Sequence, residues 1–542
     1  MYTSRLIKAA RLFLALSAVY LIFFRAYFIA TDEIILFDMS ESFVRRGNFD
    51  ETLSFALAPL RSKNADELFR YNDSYEVLQP LFAAPLFFVG EIIPAWNIVQ
   101  VVWLFNVVIV ALIAVVFFFG VQVLGYDEQT AYYSAILLGL GTLLMPYSRT
   151  FYREPLMTLW VTVATVAALK IRTVQHRLPI REGILLITAS MLAIAAKGIA
   201  ILFLPFFALM IFRAKRRDWL ILFSGGVIAF ILLIILVQFG GGGSRFSIER
   251  LTNLVEKSKW QWISESFRGY IYSPERSFFL YSPIFLLSPF GMWQLWKRGH
   301  WRLVIGVITL FVLFAAGYGF LRLNVWGGGT SIGPRYLLPL VPLFGFTIPP
   351  IIEYVRHTST ALTLRFATWG VIFLSVGIAV LSSSYSEFEY SQFVSQKFET
   401  AGQSTWDIAN SPLAYYAQQV GFETFDTVWR YSDWWWLLFA SFFVVALINL
   451  GVDYSFIKRW ENKSVICSTF ILGGALILGL FSVSDSPFFM TEGEYSKPLL
   501  NKLAELASEE DAVMVSDMDF LPLFAAHYKA SDFVVSLPLP PG

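Results

Sequence analysis

Runs of apolar residues recur along this chain, each near the length of about 20 that lets a helix cross a hydrocarbon core of roughly 30 Å. Lipid offers the backbone no hydrogen bonds, so such runs read as helices. Charged residues make up 15% of the 542 positions. A soluble domain carries about 25%, so this chain is short of the charge that a wet surface needs. The expected fold is therefore an all-α polytopic membrane protein.

Spans are expected at about 9–30, 97–124, 130–147, 155–171, 182–196, 198–213, 218–239, 278–296, 301–320, 336–353, 365–383, 434–452 and 464–482. The first run is longer than the apolar core of a cleaved signal peptide, about 7–15 residues, and reads as an uncleaved span. Segments 170–181, 213–217, 297–302, 356–365 and 458–463 each carry at least two Lys or Arg, whereas 125–129 carries none. Cytoplasmic loops are enriched in these cations. The thirteen spans then alternate with the N-terminus inside and the C-terminus outside.

The segments left on the outer side are of another kind. Residues 31–95, 240–277 and 385–433 are long, while 147–154, 197–198 and 322–335 are short. Beyond the transmembrane unit, residues 1–482, the tail 483–542 reads as helix 497–507, strand 512–516, helix 519–528 and strand 533–537, a small α/β segment outside the membrane. A net charge of +1 provides no field for nucleic acid. A single cysteine, Cys467, permits neither an intrachain disulfide nor a cysteine metal site. The Gly240–Gly243 run reads as a hinge rather than a phosphate cradle.

Polar chemistry collects in those outer segments. Thr31 can cap and Gly47 can end a helix in which Ile34, Ile35, Met39 and Phe43 oppose Asp38, Glu41, Ser42 and Arg45. That pattern suits a helix lying in the membrane interface. Asp32 and Glu33 in its first turn complement the helix dipole, or serve as carboxylates that deprotonate an acceptor. Glu154–Pro155 is a helix start. It is equally a second acid facing the same cavity, positioning substrate or holding a divalent metal. Lys197 sits at a turn between two apolar runs, where it either snorkels to the interface or binds a lipid phosphate. Trp326 stands beside three glycines that allow close approach of a ligand, and Arg335 and Tyr336 follow at the mouth of a span. Guanidinium suits phosphate through paired hydrogen bonds. Arg276, in Ser273–Pro274–Glu275–Arg276, joins this candidate substrate-binding set. Trp260, Trp262, Tyr270 and Tyr272 are candidates to stack on sugar faces.

Five short motifs in order resemble the GT-C superfamily of membrane glycosyltransferases, in the branch of aminoarabinose transferases and protein O-mannosyltransferases. They are Asp32–Glu33 after the first span, Tyr75–Pro85 later in the first loop, Glu154–Trp160, Ala196–Lys197–Gly198 with Pro205, and Gly333–Pro334–Arg335–Tyr336 running to Pro339. The resemblance covers roughly 30–350. It implies a cell (inner) membrane enzyme with its site outside. The reaction would move a sugar from a polyprenyl-phosphate donor to a lipid, glycan or protein acceptor. An outer carboxylate would be the base, the anomeric centre would invert, and a metal requirement stays open. The rival reading is a transporter or flippase of a polar lipid, which needs polar residues lining a path through the spans. The mid-span positions here are almost wholly apolar.

Overall fold

Helix α1 (Tyr2–Ile22) stops at Ile22 rather than near residue 30. The carbonyls around this point are satisfied by one tight turn, Phe24 N donating to the Leu21 carbonyl at 3.2 Å, and by a distant segment. Trp429 Nε1 donates to the Leu21 carbonyl at 2.5 Å. Val428 N and Thr427 Oγ1 donate to the Phe24 carbonyl at 2.9 and 3.1 Å. The chain then crosses the end of the bundle in a non-helical stretch carrying the buried Arg25.

The structure, a computed structural model, describes residues 2–49, 75–93, 95–173, 179–211, 226, 256–329, 331–357, 362–398, 404–421, 424–450 and 461–483. Among them there is no β-strand. The expected span 218–239, the glycine run 240–243 and, but for its first residue, the expected α/β tail 483–542 lie outside these residues.

After α1 come α2 (Thr31–Arg46), α3 (Leu78–Ile92), α4 (Ile98–Val123), α5 (Glu128–Leu140), α6 (Leu144–Tyr147), α7 (Glu154–Thr173), α8 (Ile180–Ala196) and α9 (Leu204–Ile211). The second half holds α10 (Trp260–Tyr272), α11 (Ser288–Lys297), α12 (Trp301–Arg322), α13 (Val341–Gly345), α14 (Ile348–His357), α15 (Leu362–Ser384), α16 (Glu387–Lys397), α17 (Pro412–Gln418), α18 (Trp435–Leu450) and α19 (Glu461–Ser482). Asn97 and Asp127 cap α4 and α5, each accepting two backbone N–H groups. Such a cap contributes about 1 kcal/mol.

Five of the described helical stretches are long and apolar enough to cross a membrane: Ile98–Val123, Glu154–Thr173, Trp301–Val325, Arg365–Ser384 and Lys463–Ser482. A pair bent by 43°, Arg335–Gly345 with Ile348–Arg356, would make a sixth. These mark a multi-pass membrane protein. Leu78–Ile92, Gly198–Ile211 and Trp435–Leu450 are apolar but shorter. The core runs through α1, α4, α7 and α8, with α7 packed along both α4 and α8.

Two expectations for the first outer loop change. Thr31 is the first residue of α2 rather than its cap; Ala30 occupies the cap position without a side-chain bond. Gly47 does end the helix, at φ 69°, with its N–H on the Phe43 carbonyl. Nor does α2 present a polar face to the interface. Residues 33–42 are buried all round, including Asp38, Ser40, Glu41 and Ser42. Helix α3 covers one side of α2, and Arg45 bridges Glu41 and Glu91 at 2.6 and 2.7 Å. The charges that suggested a wet face are spent on packing partners.

Candidate active site

The C-terminal end of α1, the N-terminus of α2, the N-terminus of α7 and the C-terminus of α8 meet at one end of the bundle. Four of the expected residues are joined there in a chain of hydrogen-bonded ions. Arg335 donates through Nη2 to Asp32 Oδ2 and through Nε to Glu154 Oε1, the second at 2.8 Å. Lys197 Nζ donates to the same Glu154 oxygen at 2.6 Å. Glu154 is fully buried, and its Oε2 has no hydrogen-bond partner among the described residues. The Asp32 side chain keeps 27% exposure, which makes it the carboxylate of this chain that a ligand can reach.

Local structure explains each position. Glu154 opens α7, so its carboxylate hangs at the helix end. Lys197 is extended (φ −159°, ψ 117°) between α8 and the 3-10 turn Gly198–Phe203. Arg335 starts another 3-10 turn, Arg335–Leu340, directly after Gly333 and Pro334. Gly333 has φ 57°, and a Cβ there would fall 2.8 Å from the Tyr281 ring. Both the backbone conformation and the space demand glycine. Rings flank the cations: Arg335 lies 3.7 Å from the Tyr152 centroid and Lys197 lies 4.7 Å from that of Tyr336. Tyr336 itself stacks on Tyr318 at 4.3 Å.

Burial would raise the Asp32 carboxyl. The Arg335 and Arg153 guanidiniums and the Tyr75 hydroxyl outweigh it and hold the group well below the ordinary carboxylate range. Asp32 is therefore ionised at neutral pH.

Glu33 is not part of this chain of ions. Its two oxygens accept the backbone N–H groups of Ile29 and Phe151, both at 2.9 Å, and it is fully buried. It ties the crossing stretch after α1 to the loop before α7, which is an anchoring job. Successive helical residues point about 100° apart, so Asp32 and Glu33 face different surroundings.

Arg276 also sits elsewhere than expected. Its donors are taken by the carbonyls of Gly329, Ser331 and Gly333 and by Glu275, at 2.6–3.2 Å. It holds the loop that leads to Arg335 instead of standing beside it. Tyr147 helps, its hydroxyl donating to the Ile332 carbonyl at 2.7 Å. Trp326 is buried edge-on against Tyr270, which donates to its carbonyl at 2.6 Å. Tyr270 is fully buried as well, whereas Trp260 and Tyr272 are exposed.

Three participants were not named as site residues from the sequence, although Tyr75 and Glu76 open the Tyr75–Pro85 motif. Arg153 pairs with Glu76 and lies 4.3 Å from the Tyr75 centroid. Glu76 also accepts the Gly198 N–H at 2.9 Å, which fixes the turn that carries Lys197. Tyr75 donates to Asp32. The signals available were the Tyr75–Pro85 motif and Arg153, a cation in a segment expected outside, where the positive-inside rule does not call for one. Among the described residues no group of three or more His, Cys, Asp or Glu side chains converges as a metal site.

A second ionic cluster lies beside the first. Arg25 pairs with Glu387, and Arg149 with Asp426 and the Ser383 carbonyl. The Tyr27 hydroxyl donates to Asp426 and meets the Ser386 hydroxyl, both at 2.9 Å. Arg25 and Arg149 are wholly buried.

No family model matches the chain, and no curated protein matches it either. Among solved structures, ArnT from Cupriavidus metallidurans bound to undecaprenyl phosphate is similar at 14% identity and TM-score 0.44, covering 97% of this chain and 85% of that one. Its apo form is similar at 13% identity and TM-score 0.46, covering 96% and 83%. The apo oligosaccharyltransferase of Archaeoglobus fulgidus stands at 10% identity and TM-score 0.45, covering 74% of this chain and 60% of that one. Likeness at this level assigns no residue a role.

Proposed function

We propose that this protein is a membrane glycosyltransferase that moves one sugar from a polyprenyl-phosphate donor to an acceptor hydroxyl at the extracytoplasmic face of the cell membrane. The observation that carries this reading is the Asp32–Arg335–Glu154–Lys197 chain, with an ionised, reachable carboxylate at one end and two buried cations behind it. The acceptor hydroxyl gives its proton to Asp32 as its oxygen bonds to the anomeric carbon. The bond from that carbon to the phosphate oxygen breaks on the opposite face, inverting the centre. The departing polyprenyl phosphate carries the electron pair as an anion. Arg335 and Lys197 stabilise that charge where it develops.

With Arg335 bound to it, Asp32 is a weak base. A phosphate that takes up the guanidinium removes that restraint, so donor binding raises the basicity of Asp32 in the complex that needs it. Glu154 holds both cations in place in the empty site.

A flippase would need polar groups along a path through the spans. The buried hydroxyls of α7 do not offer one. Thr158, Thr162 and Thr165 each bond the carbonyl four residues back in their own helix, at 2.6–2.8 Å.

The test is turnover of a polyprenyl-phosphate sugar by purified Asp32→Asn protein with an unchanged melting temperature. Loss of a general base lowers turnover about 10²–10⁴-fold. Near wild-type turnover removes Asp32 from the role, with Glu154 next in line. The outer orientation predicts that a reporter fused after residue 500 is active only outside the cytoplasm, and cytoplasmic activity reverses it.

A further inference from the structure

The chain of ions closes on itself through two neighbouring residues, Tyr75 and Glu76. The two oxygens of Asp32 have different partners. Oδ2 accepts from Arg335, and Oδ1 accepts from the Tyr75 hydroxyl. At the far end Glu154 accepts from Lys197, and Gly198, the next residue, donates its N–H to Glu76 at 2.9 Å. We infer that Tyr75 is the positioning residue for the base: it holds Asp32 Oδ1 throughout the reaction, and Oδ2, once Arg335 has turned to the donor phosphate, is the atom that takes the acceptor proton. The inference rests on the transferase reading and deepens it, since that reading names the base but not the group that aims it.

The need for such a group follows from the proposed exchange. A carboxylate on a short side chain turns readily about its last bond, because that torsion is broad. The Asp32 side chain keeps 27% exposure, so packing alone does not lock it. In the empty site Arg335 and Tyr75 fix it together. When the guanidinium moves to phosphate, the tyrosine bond is the one of the two that remains.

Tyr75 is anchored independently of Arg335. Its ring packs on Ile35, Met39 and Val77, the first two on α2 itself. The Arg153 guanidinium lies 4.3 Å from its ring centroid. Glu76 pairs with Arg153 and holds the Gly198 amide, which fixes the backbone beside Tyr75. Burial, with the Asp32 charge beside it, pushes the Tyr75 phenol well above its ordinary range, so it stays a donor at neutral pH. The balance of the step follows. The acceptor O–H breaks, its proton bonds to Oδ2, and its oxygen bonds to the anomeric carbon. The Tyr75 proton remains on the phenol, donated to Oδ1. Tyr75 thus neither gives nor takes a proton and acts only through Asp32.

The experiment is a double-mutant cycle on the full chain in detergent, with wild type, Tyr75→Phe, Asp32→Asn and the double variant. Release of sugar from a panel of polyprenyl-phosphate hexoses and pentoses, with water as the acceptor, gives kcat. Titration with polyprenyl phosphate gives donor affinity, and melting temperatures confirm the fold. Tyr75→Phe keeps the ring over Arg153 and removes the hydroxyl alone. We expect it to lower kcat about 10- to 100-fold, the scale on which misplacement of a reacting group acts, and to leave affinity for polyprenyl phosphate at the wild-type level. The double variant should be no slower than Asp32→Asn, because two residues that act as one unit are not additive. Wild-type kcat in Tyr75→Phe, an equal loss of kcat and donor affinity, or a further fall in the double variant overturns the positioning role. If that happens while Asp32→Asn is inactive, the positioning role alone falls and the transferase reading stands. If Asp32→Asn releases sugar like the wild type, the assigned base falls and the role of Tyr75 with it. If the wild type releases sugar from none of the donors, the transferase reading falls and takes both with it.

Discussion

The two ends of the helical bundle treat charge in opposite ways. At the end where α1 begins and α7 finishes, ion pairs stand half in solvent. Lys8 meets Glu128 at 3.2 Å, Arg356 meets Asp127 at 3.1 Å, and Arg298 pairs with Glu353. At the other end Arg25, Arg149, Glu154, Lys197 and Arg335 are all buried. Exposed pairs contribute about 0–1 kcal/mol and cost little to form. Buried pairs pay a desolvation penalty that their attraction repays only in good geometry, and apolar replacements of equal volume are often as stable. Folding alone therefore does not require the second arrangement. Under the proposed function, chemistry would account for the charge at the buried end and membrane orientation for that at the exposed end.

Within the buried end a second contrast appears. The Arg335 cluster leaves Asp32 reachable and one Glu154 oxygen without a partner among the described residues. The Arg25–Arg149 cluster instead links segments far apart in sequence, the stretch after α1 to the start of α16 and the loop before α7 to Asp426. The first has the character of a site and the second of a brace. Single substitutions separate them. Arg149→Ala leaves Asp426 with the Tyr27 hydroxyl but without its cation, and breaking a buried pair costs about 3–5 kcal/mol. The expected outcome is a marked fall in melting temperature in detergent. Unchanged melting would mean that the second cluster is no brace and belongs with the site. Under the proposed function, Arg335→Ala and Lys197→Ala would each remove a charge-assisted hydrogen bond from the lipid phosphate, worth about 1.5–3 kcal/mol, or roughly 10- to 150-fold in affinity. Titration with a polyprenyl phosphate measures this. Donor affinity at the wild-type level in both variants would remove both residues from the site and erase the distinction between the clusters.

How far the sequence foretold this end depends on whether a residue's role follows from its place along the chain. Glu154 beside Pro155, Lys197 between two apolar runs and Arg335 after Gly333–Pro334 are helix-boundary residues. Helix boundaries are legible in composition, so their shared end of the bundle could be inferred. Asp32 and Glu33 could not be told apart, because the choice depends on which backbone comes to meet them. Only the fold shows that the Ile29 and Phe151 amides occupy Glu33. The burial of α2 was hidden for a similar reason. Its alternation of apolar and charged residues suits an interface, and nothing in the local pattern announces that α3 and Glu91 will cover it. Arg276 misled through its chemistry: a guanidinium suits loop carbonyls as well as it suits phosphate. The premature end of α1 rests on Trp429 and Thr427, some four hundred residues away in sequence.

The smallest expected effect lies at the exposed end and is the sharpest control for the comparison. Arg356 reaches Asp127 at 3.1 Å with 24% of its side chain exposed, against 47% for its partner. Asp127 has other work, since it caps α5 through the Gln129 and Thr130 amides, both at 2.9 Å. Arg356→Ala leaves that cap in place, and the freed carboxylate is solvated rather than stranded. The expected loss is under about 1 kcal/mol. It should shrink further as salt rises from 0.01 to 1 M and the Debye length contracts from about 30 to 3 Å. Polyprenyl-phosphate affinity and turnover should match the wild type. Melting curves of Arg356→Ala and Arg149→Ala at low and high salt measure the difference directly. If Arg356→Ala destabilises as much as Arg149→Ala and salt leaves both unchanged, then burial does not set the worth of these pairs. The contrast between the two ends then fails as an argument for a site.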